Sequence, residues 1–188
     1  MSFIKARDVK VEIKLELDNE PFIVLDNTYF SPGKGQPVSR IKLKSFFDSR
    51  IFIKTFKANV NLKIADVLEK KVKFLYFNGN YNFIDENLLE YYELESDKIA
   101  DSKNWLVVNE NYIIILWNML PLLLKVPKIV TLKVISTEEI QKKTVIAKNM
   151  KSAVLETGVV VKLPLFIKVN DKVRIDTEKS EYLSRINL

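Results

Sequence analysis

The residues with the most chemical promise are one lysine and its immediate neighbours. Lys34 stands between Gly33 and Gly35, inside Pro32 and Pro37, in the run Ser31-Pro-Gly-Lys-Gly-Gln-Pro-Val-Ser-Arg40. Glycine has no Cβ and admits φ > 0, so the backbone turns tightly there and approaches a partner closely. Proline lowers the entropy of an open loop and stiffens it. Pro32, Gly33, Gly35 and Gln36 therefore predict a stiff tip that displays one long cation, Lys34. A Walker phosphate loop needs Gly-Lys-Ser/Thr ahead of a helix, whereas here Gly35 follows the lysine and a strand-like run, Val38 to Leu43, comes next. Nor does the run predict a low-pKa nucleophile, because an open tip cannot desolvate its own amine.

The rest of the composition narrows the chemistry further. The 188 residues include no cysteine and no histidine, which excludes disulfides, thiolate nucleophiles, the usual zinc sites and imidazole-based triads. Any general acid or base would have to be a shifted carboxylate or lysine. Asp85, Glu86, Glu90, Glu93, Glu95 and Asp97 lack metal-site spacing and read as a solvated face. No catalytic residue, metal site or enzymatic activity is expected.

Binding is the remaining class. Arg40, Lys42 and Lys44 alternate along the strand leaving the tip, so they share one face suited to tracking phosphates. The net charge is +6 and is unevenly spread. Residues 1–64 carry twelve basic and seven acidic side chains, residues 65–127 six and ten, and residues 128–188 twelve and seven. Two basic ends around an acidic middle suggest separate contacts with a polyanion.

Positioning these groups falls to short strands. Val9, Val11, Ile13, Leu15 and Leu17 alternate with charged residues, predicting a strand over 9–17. Further strand-like runs are Phe22 to Leu25, Val38 to Lys44, Arg50 to Phe56, Lys71 to Phe77 and Asn80 to Ile84. Asn78-Gly79 between aromatic-rich runs predicts a type I′ hairpin. Phe74, Tyr76, Tyr81 and Phe83 around it read as barrel core ahead of base-stacking platforms. Ser96 to Lys103 predicts a short helix capped by Ser96. Strands resume at Trp105 to Val108, Tyr112 to Trp117, Ile129 to Ile135, Val159 to Val161, Leu165 to Ile167, Lys172 to Ile175 and Leu183 to Ile186, with a polar loop over Thr137 to Met150. So many short strands predict an all-β chain of small barrels, divided as 1–64, 65–127 and 128–188. The N-terminus lacks the apolar core of a signal peptide, and Tyr112 to Val126 is too short to span a bilayer, so a soluble cytoplasmic protein is expected.

Pro32-Gly-Lys-Gly-Gln36, then Arg40-Ile-Lys-Leu-Lys44 and Lys54-Thr-Phe-Lys57, resemble bacterial translation elongation factor P. The resemblance continues through Asp66-Val67, Leu75-Tyr76, Trp105-Leu106 and Leu116-Trp-Asn118. It closes with Lys151-x-Ala153, Glu156-Thr-Gly158, Val161-Lys-Leu-Pro-Leu-Phe-Ile167 and Glu181-Tyr-x-Ser-Arg185, in the family's order and spacing.

The resemblance implies three small β-barrel domains, the first KOW-like (SH3-like) and the next two OB-fold-like, in an L-shaped arrangement. It implies a monomer that binds the 70S ribosome between the P and E sites and relieves stalling at consecutive prolines. Lys34 would contact the CCA end of the P-site peptidyl-tRNA, carrying a β-lysyl-type modification added by a lysine-modifying ligase. Arg40, Lys42 and Lys44 would contact tRNA and rRNA phosphates, and Tyr182 and Arg185 would serve the third domain's RNA face. No separate cofactor and no membrane is implied. Departures from the family pattern are Pro37-Val38 behind the tip, Asn170 at a usual glycine, and the loop over 141–150, which lacks the family's Gly-Asp-Thr element. The second reading is a generic OB-fold protein that binds single-stranded RNA with no ribosomal role.

Overall fold

The computed structural model describes residues 2–138 and 150–186. The chain is all-β, with three antiparallel sheets curled into half-barrels. β1 (Phe3–Lys5), β2 (Lys14–Leu17), β3 (Glu20–Phe30), β4 (Val38–Ser45), β5 (Ile51–Lys57) and β6 (Asn61–Ile64) make a six-stranded sheet in the order β1-β6-β2-β3-β4-β5. β7 (Val67–Phe77), β8 (Tyr81–Asp85), β9 (Glu90–Leu94), β10 (Asn111–Trp117) and β11 (Leu120–Lys125) follow in the order β11-β10-β7-β8-β9. β12 (Ile129–Thr137), β13 (Met150–Leu155), β14 (Val160–Pro164), β15 (Lys172–Asp176) and β16 (Glu181–Ile186) order as β14-β13-β12-β15-β16. By contacts the chain forms two units, one of Met1–Lys70 with Ile114–Leu123 and one of Lys71–Ile113 with Leu124–Leu188.

In the first unit, alternation places Leu15, Phe22, Val24, Ile41, Leu43 and Leu62 in one apolar cluster, with Ala6 and Val9 delivered by a 3-10 turn over Ala6–Asp8. Phe52 and Phe56 of β5 pack against its side, and Phe22 meets Phe52 edge-on with ring centroids 5.4 Å apart. The expected strand over 9–17 forms only at 14–17. Glu12 takes φ 71 and donates its N–H to the Val24 carbonyl at 2.8 Å, so the chain bends and Val11 turns outward. Asp18 (φ 53) and Asn19 (φ 62) then make a two-residue hairpin turn with both residues left-handed, the form that matches strand twist. In the same unit the Phe47 ring sits edge-on to Trp117 at 5.9 Å, and Asn118 N–H bonds the Asp66 carbonyl at 3.0 Å.

In the second unit, Leu132, Val134, Leu155, Leu163, Ile167, Val173 and Ile175 form a buried cluster that also takes in Trp105. Several local expectations change here. Trp105 to Val108 is not a strand, because a helical turn (Ser96–Ile99) and a 3-10 turn (Ala100–Trp105) run into it. The Tyr112 hydroxyl closes that backbone, accepting from Val107 N–H at 2.7 Å and donating to the Trp105 carbonyl at 3.1 Å. The Asn78-Gly79 turn is not type I′, since only Gly79 (φ 106) is left-handed. Its loop holds three residues, with Asn78 Oδ1 accepting from Asn80 N–H at 3.3 Å and Asn82 Nδ2 at 2.9 Å. Leu165 to Ile167 is a turn, in which Ile167 N–H reaches Pro164 O at 3.1 Å and its side chain enters the core. Asn170 takes φ 74, the left-handed form that asparagine tolerates in place of glycine. Most of the polar loop expected over Thr137 to Met150 lies outside the described residues.

Candidate functional site

β3 and β4 pair from Phe22↔Ser45 through Thr28↔Arg40 to Phe30↔Val38, and a seven-residue loop, Ser31 to Pro37, joins them. The stem is therefore hydrogen-bonded up to the loop itself. One register shift, at Leu25 between Val24 and Asp26, adds local twist where the stem leaves the barrel. Lys34 is exposed and makes no hydrogen bond or ion pair with any described residue. Gly33 and Gln36 are also exposed, and Pro32 is half-buried. Gly35 alone of the two glycines is left-handed, at φ 111, and an added Cβ would lie 3.6 Å from Pro32 Cγ. Nothing lies within 4 Å of a Cβ built on Gly33.

The hairpin is fastened at its root. Asn27 Nδ2 donates to the carbonyls of Ala6 at 3.0 Å and Val9 at 2.8 Å, bridging β3 to the 3-10 turn. Ala58 N–H donates to the Pro37 carbonyl at 2.9 Å, and Arg7 N–H to the Ala58 carbonyl at 3.1 Å. Those bonds satisfy backbone groups that an isolated loop would leave to water.

Ser39, Ile41, Leu43 and Ser45 are buried along β4, which turns Arg40, Lys42 and Lys44 to the opposite face. Arg40 and Lys42 are exposed and Lys44 is half-buried, and none is paired with a described residue. Lys42 lies across from Asp26 in the register, yet the Asp26 carboxylate accepts from Thr28 Oγ1 at 3.2 Å. By contrast Lys54 is paired with Asp18 at 3.2 Å and Lys63 with Glu16 at 2.5 Å. The charge beside the tip is thus left open to an external anion.

Tyr182 is half-buried and Arg185 exposed at the edge strand of the third sheet. Tyr182 packs against the third-sheet cluster. Arg185 Nη1 is 3.7 Å from Asp171 Oδ2, with its guanidinium 5.8 Å above the Phe166 ring. Of the hairpin aromatics, Phe74 and Phe83 are buried, as core residues should be, whereas Tyr76 is exposed. Among the described residues no group of three or more acidic side chains is arranged to hold a metal, and no helix is long and apolar enough to cross a membrane.

Sequence reasoning missed Tyr29 and Phe30, which flank the loop and are 51% and 59% exposed. The available signal was two large aromatics immediately before Ser31-Pro32, where a buried strand end has no reason to place both.

The structure is a chain of curled β-sheets whose first sheet extends a fastened hairpin, with an exposed lysine at its tip and cations left open along its stem. Comparison with known proteins specifies the class. Residues 5–62 match the family described as Elongation factor P (EF-P) KOW-like domain, residues 67–124 the Elongation factor P (EF-P) OB domain, and residues 130–185 Elongation factor P, C-terminal. The chain is similar to the elongation factor P of Wigglesworthia glossinidia brevipalpis, 36% identical over 185 residues and covering 98% of each chain. Two solved structures share the fold. Eukaryotic translation initiation factor 5A from Methanococcus jannaschii matches with a TM-score of 0.52 and 16% identity over 64% of this chain and 90% of that one. A translation initiation factor eif-5a family protein from Naegleria fowleri matches with 0.54 and 12%, over 66% and 98%. The chain belongs to the elongation factor P family and is a translation elongation factor. The full-length match does not favour the generic RNA-binding reading.

Proposed function

We propose that this factor binds the ribosome between the P and E sites and holds the CCA end of the peptidyl-tRNA through Lys34, relieving stalls at consecutive prolines. The observation that supports this most is the exposed, unpaired Lys34 at the end of a stem registered up to Phe30↔Val38. Arg40 and Lys42, open on one face of that stem, steady it against tRNA and rRNA phosphates, with Lys44 at its root. Pro32, Gly33, Gly35 and Gln36 shape the loop so that the lysine reaches forward.

The contribution is positional. A prolyl end that samples few attack-ready poses reacts faster once its acceptor strand is held. Each tenfold in rate needs only about 1.4 kcal/mol, within reach of a charged contact and without proton transfer by the factor. A lysine-modifying ligase lengthens Lys34 with a β-lysyl-type group, extending the reach of the cation. The factor acts as a cytoplasmic monomer, has no catalytic activity of its own and takes no further cofactor. In the third domain, Tyr182 and Arg185 support the RNA face from within, by packing and by holding the Asp171 and Phe166 segment.

The test is peptide-bond formation on ribosomes stalled at a proline run. Added wild-type chain speeds release of the stall, and Lys34→Ala removes that effect while leaving the fold intact. Full stall relief by Lys34→Ala would end the proposal. Peptide mass spectrometry across the tip, on protein from its native host, reads the modification directly.

A further inference from the structure

Phe30 is 59% exposed at the neck of the hairpin and makes no ring or cation contact with any described residue. Its surroundings give it a direction. The register aligns Phe30 with Val38 and Val38 with Lys57, two residues along, and so on the same face, from the row Thr28, Arg40 and Thr55. Directly opposed residues of antiparallel strands point to the same side of the sheet, and diagonal neighbours lie about 7–8 Å apart. One face of the neck therefore carries an open ring with Arg40 on its diagonal and Lys57 beyond Val38. Arg40 and Lys57 are exposed and unpaired among the described residues. Tyr29, the adjacent aromatic, belongs to the row of Ser39 and Phe56 on the other face, because consecutive strand residues alternate.

From this arrangement we propose that Phe30, Arg40 and Lys57 form a subsite for one unstacked nucleotide of single-stranded RNA. The base lies on the Phe30 ring and the flanking phosphates on the two cations. The proposal rests on the reading that the tip works against RNA, and it adds a specific contact to the nonspecific charge. A ring face accepts any base, so the subsite is tolerant of sequence while demanding that the base be unpaired. That demand suits a tip working at a single-stranded end. The two cations supply the phosphate affinity that carries no sequence information. Burying an aromatic ring against a base also removes Phe30 from water, which the free chain leaves undone.

The experiment uses the full chain, a mixed-sequence RNA hexanucleotide and its abasic counterpart, which has the same phosphates and no bases. Fluorescence anisotropy at low salt should show the wild type binding the base-containing strand about tenfold more tightly, within the range of base–aromatic stacking. Phe30→Leu should lose that preference without weakening the abasic complex, and Phe30→Trp should keep it. Tyr29→Leu, on the opposite face, should leave the preference in place. Equal affinity of the wild type for both strands would overturn the subsite, as would a preference that survives Phe30→Leu or vanishes in Tyr29→Leu. The translation reading is decided separately, by Lys34→Ala on stalled ribosomes.

Discussion

The backbone N–H of Ala58 donates to the carbonyl of Pro37 at 2.9 Å, so the last residue of the tip loop is tied to the turn that follows β5. The tie continues inward. Arg7 N–H holds the Ala58 carbonyl at 3.1 Å, Ala6 N–H holds the Val60 carbonyl at 2.9 Å, and Asn27 returns to Ala6 and Val9 from the stem. The 3-10 turn is thus the bracket that joins stem and barrel. Aim, in this molecule, is set well behind the lysine.

Asn27→Leu tests the bracket. It removes both side-chain bonds and leaves the Ala6 and Val9 carbonyls without them, a loss of about 1–3 kcal/mol for buried partners. Urea unfolding should show that decrease. Stall relief should fall as well, although Lys34 and its loop are untouched, because the stem loses its fixed root. An Asn27→Leu chain with wild-type stability would show that the two bonds contribute nothing net.

Gly33 and Gly35 should separate cleanly. Alanine at Gly35 must hold φ 111 or move the loop, at a cost of about 1–2 kcal/mol for a side chain forced into left-handed backbone. Alanine at Gly33 meets open space. Gly35→Ala is expected to cut stall relief several-fold and to lower the melting temperature by a few degrees, since backbone strain in the folded loop is released on unfolding. Gly33→Ala is expected to retain most activity. Equal losses in both would mean that close approach of the partner, and not backbone conformation, sets the need for glycine.

The open charges on β4 predict a salt signature. Each phosphate neutralised adds about 0.7 to the slope of log affinity against log salt for a single strand. Arg40→Gln with Lys42→Gln should therefore lower the slope for RNA by about 1.4, whereas Lys54→Gln, already paired with Asp18 at 3.2 Å, should change it little. Titration of RNA binding across a range of salt concentrations measures both.

The contrast between β4 and the segment over 9–17 shows what a sequence alone can carry. On β4 the alternation of Ser39, Ile41, Leu43 and Ser45 with Arg40, Lys42 and Lys44 is a direct image of a half-buried sheet, so the strand and its open face were both legible. Over 9–17 the same alternation is present, yet Glu12 bends the backbone and Val11 is 55% exposed. Periodicity reports which side chains are apolar, and it is silent on a bend that a backbone bond to Val24 stabilises. β9 was missed for the converse reason, because its acidic residues on an outer edge mask the buried Leu94. Lys34 was legible as a candidate because proline and glycine encode loop geometry locally. The Asn27 bracket was not, since its partners lie eighteen and twenty-one residues away.

Tyr112 gives a prediction that reads the second unit independently of the tip. Burial is the main cause that raises its phenol pKa above the ordinary 10.0. The Val107 N–H bond works against that rise, and the charges of Glu110 and Glu156 add to it. A raised pKa in the folded chain means that the unfolded chain ionises first as pH climbs. The contribution of Tyr112 is therefore complete below the ordinary phenol value and is lost as pH rises from there through the folded pKa. Tyr112→Phe removes the bonds to Val107 and Trp105, at a cost of about 1–3 kcal/mol near neutral pH. Phenylalanine has no proton to lose, so the stability gap between the two chains should narrow once pH exceeds roughly 10. Thermal melts of both chains from neutral to alkaline pH measure the gap. A constant gap would mean that Tyr112 ionises as readily in the folded chain as in the unfolded one, and a widening gap that it ionises more readily there; either would overturn the rise assigned to burial.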